Sequence, residues 1–317
     1  MVTPAEQFNA KEYAPVVLFT YKRLPILKRV VASLLSNEEC PRTPLTVYSD
    51  GPKTEGDEPA VKETRAYLKV LTGFKSIEFI FRDRNLGLAQ SFIQGITETL
   101  QRHQQAIFLE DDNLLSKHFL SFMNQALDYY KNNEKVICLS GFSFPLKPAP
   151  KQPYFLRGAE TWSMATWQRG WKYFCADGKK LLADIESQGL TKKFSSDGFG
   201  FDRMLKRQIN GEIDSWGVRW WTSAFVNDKY CLYPEKPLCV SIGYGSDSVH
   251  NASYSPILRR PSDLSDKPIV GLPDAVVEKA EISLAVRRMN QSLAHPSLWR
   301  RLINKIAARF KKIIYGQ

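Results

Sequence analysis

From residue 15 onward, short apolar runs alternate with longer amphipathic stretches. Pro15 to Thr20 (PVVLFT) reads as a buried strand, and Leu24, Leu27, Val30, Val31, Leu34 and Leu35 then recur at helical spacing. Leu45 to Ser49 predicts a second strand, stopped by Asp50-Gly51-Pro52 and followed by a polar helix over about residues 58–72. Ile77 to Phe81 is the third strand. Asn85-Leu86-Gly87 then opens a helix with Leu88, Phe92, Ile96 and Leu100 on its apolar face, ahead of a fourth strand at Ala106 to Leu109 and a fifth at Val136 to Ser140. Strands alternating with helices predict an α/β chain with a mostly parallel twisted sheet and flanking helices. In such sheets ligands collect beyond the carboxyl ends of the strands. That rule singles out Tyr21 to Arg23, Asp50, Arg84-Asn85 and Glu110-Asp111-Asp112, each of which follows a strand directly.

Regularity declines after the fifth strand. A proline-rich stretch (Ser143 to Pro153) leads into TWSMATWQRGWKYF, a glycine-rich turn over Ser195 to Asp202, and the segment EIDSWGVRWW. Two short strands are expected near Tyr230 to Tyr233 and Leu238 to Ile242, followed by the polar loop GYGSDSVHN. At the end of the chain, Trp299, Leu302, Ile303, Ile306, Phe310, Ile313 and Ile314 share one helical face, and the other face carries six cations and no anion. Such a helix suits an anionic lipid interface. Docking on the body through the apolar stripe is the alternative, with nucleic acid a weaker third.

The charge distribution supports a local device at that end. The 317-residue chain has 44 basic and 33 acidic residues, a net of +11, yet the eight cations after Glu281 leave only +3 on the first 281 positions. A nearly balanced body argues against nucleic-acid tracking. No apolar run reaches about 18 residues, so no membrane span is expected. Cys40, Cys138, Cys175, Cys231 and Cys239 are scattered without C-x-x-C spacing, and the N-terminal segment has neither a basic start nor an apolar run. Reduced thiols and a cytoplasmic location, peripheral at the inner face of the plasma membrane, are the expectation.

Glu110-Asp111-Asp112 is the sharpest chemical signal. Three adjacent carboxylates repel one another unless a cation or solvent compensates them. Mg²⁺ or Mn²⁺ does so with one or two protein carboxylates and completes its shell with diphosphate oxygens and water. The alternative is a solvated turn in which Asp112 or Ser116 caps a helix.

Taken together, Thr20-Tyr21-x-Arg23, Ser49-Asp50-Gly51, Arg84-Asn85-Leu86-Gly87 and Phe108-Leu109-Glu110-Asp111-Asp112 resemble, in order and spacing, the GT-A fold glycosyltransferases. The nearest likeness is to bacterial sugar transferases similar to eukaryotic N-acetylglucosaminyltransferase I, which use a Glu-Asp-Asp version of the Asp-x-Asp motif. The resemblance covers about residues 15–250. It implies a nucleotide-sugar-binding half (15–142) and an acceptor-binding half (143–255); the sequence pattern adds an N-terminal extension (1–14), a linker and helix (256–295), and the basic amphipathic membrane-association helix (296–317).

Residue roles follow from the resemblance. Thr20, Tyr21, Arg23 and Asp50 would line the donor site, with Arg23 beside uracil or diphosphate and Asp50 accepting from uracil or ribose. Arg84 and Asn85 would sit near the donor, unless Asn85 only caps its helix. Asp112 would bind Mn²⁺ or Mg²⁺, with Glu110 and Asp111 facing ribose, sugar hydroxyls or metal-bound water, and His250 near the diphosphate or metal. Asp214-Ser215-Trp216 resembles the segment that supplies the acceptor-side base in inverting members. Glu212 is the standby, on the same face as Asp214 if the segment is extended. Asp197 and Asp202, flanking the glycine-rich turn, would position the acceptor, and Trp216 is the preferred indole for stacking on a sugar. For Asp214, Glu212, Asp197 and Asp202 a surface salt bridge is the alternative, for Arg23 a surface position, for Asp50 a turn-forming role, for His250 a structural role, and for most tryptophans the core.

The expected activity is metal-dependent, inverting transfer of a sugar, GlcNAc among the candidates, from a UDP-sugar to a hydroxyl of a surface polysaccharide or lipid-linked glycan. Two rivals remain: a sugar-nucleotide nucleotidyltransferase, which usually has a glycine-rich loop after the first strand where this chain has Tyr21-Lys22-Arg23-Leu24-Pro25, and a non-catalytic glycan-binding protein at the membrane surface.

Overall fold

A computed structural model describes residues 12–195, 200–243 and 260–294. The first part of the chain alternates as the pattern predicts: β1 (Val16–Thr20), α1 (Leu24–Leu35), β2 (Pro44–Ser49), α2 (Glu58–Leu68), β3 (Ser76–Phe81), α3 (Leu88–Arg102) and β4 (Gln105–Glu110). There follow β5 (Asn113–Leu115), α4 (Phe119–Tyr129), β6 (Val136–Ser140), β7 (Tyr154–Arg157) and β8 (Met164–Trp167). The later elements are α5 (Gln168–Trp171), α6 (Gly178–Ser187), α7 (Thr191–Ser195), α8 (Phe201–Ile209), α9 (Trp216–Val226), β9 (Tyr230–Tyr233), β10 (Cys239–Ser241) and α10 (Ala280–Ala294).

Eight strands form one sheet in the order β3-β2-β1-β4-β8-β6-β9-β7, and β10 pairs antiparallel with β5 in a separate ribbon. The four strands β1 to β4 are parallel. Every residue of β1 is buried, as expected of a strand covered on both faces. Helix α1 starts with a proline in its first turn and buries Leu24, Leu27, Val30, Val31 and Leu34, while Leu35 stays 39% exposed. In α3, Phe92, Ile96 and Leu100 face the core; Leu88, expected on the same face, is 46% exposed. The polar helix α2 ends at Leu68, earlier than its sequence suggests.

Strands β5, β7 and β8 are absent from the sequence reading. Each has only three or four residues and pairs antiparallel with a neighbour, too short for periodicity to show. β8 matters most, because it inserts antiparallel between β4 and β6. Its register, Phe108 opposite Met164, brings the turn at 160–163 to the same sheet edge as Glu110.

An aromatic seam joins α3, α5 and α9 to the sheet. Phe92 stacks on Phe19 at 4.0 Å and on Trp216 at 5.1 Å, and Trp171 packs on Phe174 and Trp220. The other side of α9, through Trp221 and Phe225, buries Leu181, Ile185, Phe194 and Leu205 from α6 to α8. All five cysteines are free thiols, four of them buried.

Candidate active site

The carboxyl ends of β1 and β4 are tied together by the acidic triplet. Asp111 Oδ2 accepts from the Thr20 hydroxyl at 3.0 Å and from the Tyr21 amide at 3.3 Å. Its other oxygen accepts from Arg23 Nη2, and the same nitrogen donates to Asp112 Oδ2 at 3.0 Å. Burial alone would lower the Arg23 pKa, but the charges of Asp111 and Asp112 outweigh it and hold the guanidinium above its ordinary value. Glu110 is part-buried, and burial, then the charges of Asp112 and Asp111, push its carboxyl well above the usual range. Asp112 therefore meets an arginine within the site, the one the sequence assigns to the donor.

The end of β2 is fixed by a second set of contacts. Asp50, 6% exposed, accepts from the Leu86 and Gly87 amides at 3.1 and 3.2 Å and lies 3.5 Å from Arg82 Nη1. Asn85 donates to the Gly51 carbonyl at 3.1 Å and accepts from the Gly87 amide at 3.0 Å. Gly51 is required here, because a Cβ would fall 2.7 Å from the Arg84 backbone. Both side chains hold the 84–87 turn against β2. Asn85 does not cap α3 with its side chain. Arg84 is exposed at this turn.

Arg65 and Asp57 contribute to this edge without having been singled out by the sequence pattern. Arg65, from α2, donates to the carbonyls of Ser49, Asp50 and Arg82 at 3.0, 3.2 and 2.6 Å, clamping the ends of β2 and β3. Asp57 accepts from the Tyr21 hydroxyl at 2.8 Å and pairs with Lys22 at 2.5 Å, and Tyr21 in turn accepts from the Lys53 amide at 2.8 Å. The Lys22 and then the Tyr21 hydrogen bonds hold the Asp57 carboxyl well below the usual range. No sequence signal marks either residue, since each acts through a fold contact 15 or more positions away.

Across the edge, the 160–163 turn adds Glu160 and Trp162. Glu160 accepts from the Thr161 amide at 2.8 Å, and burial pushes its carboxyl upward despite hydrogen bonds from Thr161, Trp162 and Tyr233. It is close enough to Glu110 for their charges to interact. Trp162 is part-buried, edge-on to Phe142 at 5.1 Å.

Of the acceptor-side candidates, Asp214 is 69% exposed at its side chain and pairs with Arg219 Nη2 at 3.0 Å, just ahead of the Ser215 N-cap of α9. Burial lowers the Arg219 pKa against the pull of Asp214. Glu212 does not share that environment. It lies in a bend after α8 and bonds to Arg207 at 3.2 Å and Asn210 at 3.2 Å, because its amide turns back to the Arg207 carbonyl and the segment is not extended there. Trp216 is corrected: at 4% exposure, stacked on Phe92, it belongs to the core, since α9 begins at this residue and turns the indole inward. Asp202 sits in the first turn of α8, where an acid complements the helix N-terminus. Asp197, His250 and the 296–317 helix lie outside the described residues.

Among the described residues, no group of three or more His, Cys, Asp or Glu is arranged to hold a metal, and no helix is long and apolar enough to cross a membrane. A nucleotide-borne Mg²⁺ or Mn²⁺ asks for less. One or two hard carboxylate oxygens suffice, and the triplet supplies them at a place where a cation, the Arg23 guanidinium, is already drawn in. Close backbone approach at Gly243, whose Cβ would fall 2.1 Å from Asp112 Oδ2, keeps that carboxylate in a tight cradle.

No curated protein matches the chain. Among solved structures, it is similar to S. aureus TarS, with 14% identity and a TM-score of 0.30 over 41% of this chain and 22% of that one. It is also similar to the mannosyltransferase PcManGT from Pyrobaculum calidifontis in complex with GDP-Man and Mn²⁺, with 11% identity and a TM-score of 0.32 over 55% of this chain and 47% of that one. The chain thus spans about a fifth and about half of these two proteins. Residues 16–189, more than half of the sequence, match the profile described as glycosyl transferase family 2. The mixed α/β architecture, with its large and mostly parallel sheet, is that of the GT-A fold, and the chain belongs to glycosyl transferase family 2.

Proposed function

We propose that the chain is a metal-dependent, inverting glycosyltransferase that moves a sugar from a UDP-sugar to a hydroxyl of a surface polysaccharide or lipid-linked glycan. The observation that carries this reading is the linkage of the triplet at the end of β4 to Thr20, Tyr21 and Arg23 at the end of β1. It gathers carboxylates and a cation where parallel sheets bind ligands. Residues 15–142 would form the donor half and 143–255 the acceptor half. The finer likeness to N-acetylglucosaminyltransferase I makes UDP-GlcNAc the first donor to try.

Asp112, with His250, would hold the ion, and Arg23 and Arg84 would draw in the diphosphate. A bound Mn²⁺ or Mg²⁺ would neutralise the diphosphate as it departs. Asp214 takes the proton of the acceptor hydroxyl while its oxygen bonds to the anomeric carbon and the sugar–diphosphate bond breaks on the opposite side. Glu212 is the standby base. The basic 296–317 helix would bring the cytoplasmic enzyme to an anionic membrane carrying the acceptor.

The test is release of nucleoside diphosphate from UDP-GlcNAc, UDP-Glc, UDP-Gal and GDP-Man by purified protein, with Mn²⁺ and then with EDTA. Release from one UDP-sugar that the chelator abolishes is the expected result. Absence of release from any donor, with glycan binding retained, would favour a binding protein. Formation of a sugar nucleotide from nucleoside triphosphate and sugar phosphate would favour a nucleotidyltransferase.

A further inference from the structure

We propose that Arg23 is a built-in counter-cation that occupies the metal's place at Asp112 and yields it only when a nucleoside diphosphate arrives, so that metal and donor bind as a coupled pair. This rests on the reading above that Asp112 is the metal ligand.

One terminal nitrogen of Arg23 serves both Asp111 Oδ1 and Asp112 Oδ2. It does what a small cation would do there, bridging two neighbouring carboxylates and offsetting their mutual repulsion. The three side chains are 21%, 6% and 13% exposed, so the pair is screened far less than a surface salt bridge. A hexahydrated ion arriving alone must displace a tethered guanidinium and shed water, and among the described residues no group of three or more His, Cys, Asp or Glu is arranged to complete its shell.

The geometry also permits departure. Arg23 is the residue that precedes α1, and its carbonyl accepts from the Ile26 and Leu27 amides, so its backbone is anchored independently of the partner its side chain takes. Asp111 keeps the Thr20 hydroxyl and Tyr21 amide as donors when the guanidinium leaves. A diphosphate offers Arg23 a new bidentate anionic partner within the same site. Arg23 then passes from the triplet to the phosphates as the ion takes its place at Asp112.

The opposing effects of one substitution on two ligands test this. Mn²⁺ binding is measured by calorimetry and by the electron paramagnetic resonance signal of free Mn²⁺, with and without UDP, for the wild type and for Arg23→Gln, Arg23→Lys and Asp112→Asn. Wild type should bind Mn²⁺ weakly alone and more tightly with UDP. Arg23→Gln should bind Mn²⁺ alone about tenfold more tightly, bind UDP less tightly, and lose most of the coupling. Arg23→Lys, which keeps the charge but cannot bridge both carboxylates in the same way, should fall between, and it carries the test if Arg23→Gln does not fold. If neither Arg23 variant gains affinity for Mn²⁺ while Asp112→Asn loses it, the counter-cation role is wrong and the metal assignment stands. If Asp112→Asn binds Mn²⁺ as the wild type does, the metal assignment itself fails, and the inference with it.

Discussion

The Thr20 hydroxyl donates to the Asp111 carboxylate across 3.0 Å, joining the last residue of β1 to the turn that follows β4. The contact makes the three acids of the triplet unequal. Asp111 is turned inward as a staple between strands, whereas Asp112 lies under Arg23 beside the Gly243 backbone. Thr20→Val removes a buried donor and leaves the carboxylate with one partner fewer. It should lower unfolding free energy by about 1–3 kcal/mol, read from urea denaturation, and weaken donor binding as Asp111 loosens. An unchanged urea midpoint would mean the staple carries no load.

Trp216 and Trp162 should separate cleanly. Trp216→Ala opens a cavity beneath Phe92 and Trp171 and should cost about 3–5 kcal/mol of stability. Trp162→Ala, at the edge of the site, should spare most of the stability and raise the acceptor KM more than it lowers kcat, as loss of a sugar-stacking face would. The reverse pattern would restore Trp216 as the acceptor platform.

What could be read in advance follows from how each element is stabilised. β1, β2 and β4 announce themselves because buried strands are apolar runs, and the edge strand β3 shows through its apolar and aromatic residues although none of it is buried; each delivers its polar residues to one edge regardless of side-chain detail. β8 gives no such signal, being four residues of a single antiparallel insertion, so Glu160 stays hidden, and Trp162 is not distinguished from the other tryptophans, until the register with β4 is known. Trp216 misleads for a related reason. Adjacency to Asp214 in sequence says nothing about side, and the start of α9 between them sends one side chain to solvent and the other into the core. Asp50 and Asn85 are found by their place after a strand, but only the fold shows that the 84–87 turn engages them.

Arg65 should act as a positioning residue. Its guanidinium satisfies carbonyls at the ends of β2 and β3, so Arg65→Ala leaves acceptors without their partner and slackens the Asp50 loop. Donor KM should rise several-fold with kcat less affected, and Arg65→Lys should rescue only in part, because an ammonium lacks the planar fork that reaches several carbonyls. Equal loss of kcat in both variants, with KM unchanged, would assign it another role.

Glu160 offers a test by pH. Burial raises its folded-state pKa, so the folded form binds its proton more tightly than the unfolded chain does. The stability this gives is fully present below the ordinary glutamate range and is lost as pH rises through the raised folded value. Glu160→Gln, which cannot ionise, should therefore raise Tm at about pH 8 and give little or no gain at about pH 4. A variant less stable than wild type at the higher pH would show that the ionised carboxylate is favoured in the fold.

Asp112 is expected to make sugar transfer depend on a divalent ion. Asp112→Asn keeps the size of the side chain and removes its charge, so the decisive measurement is the rate of UDP release from the active donor, with saturating Mn²⁺, in this variant and in wild type of matched Tm. A loss of about a hundredfold or more, matching what EDTA does to the wild type, is the predicted result. Wild-type turnover by Asp112→Asn, or turnover indifferent to EDTA, would contradict it.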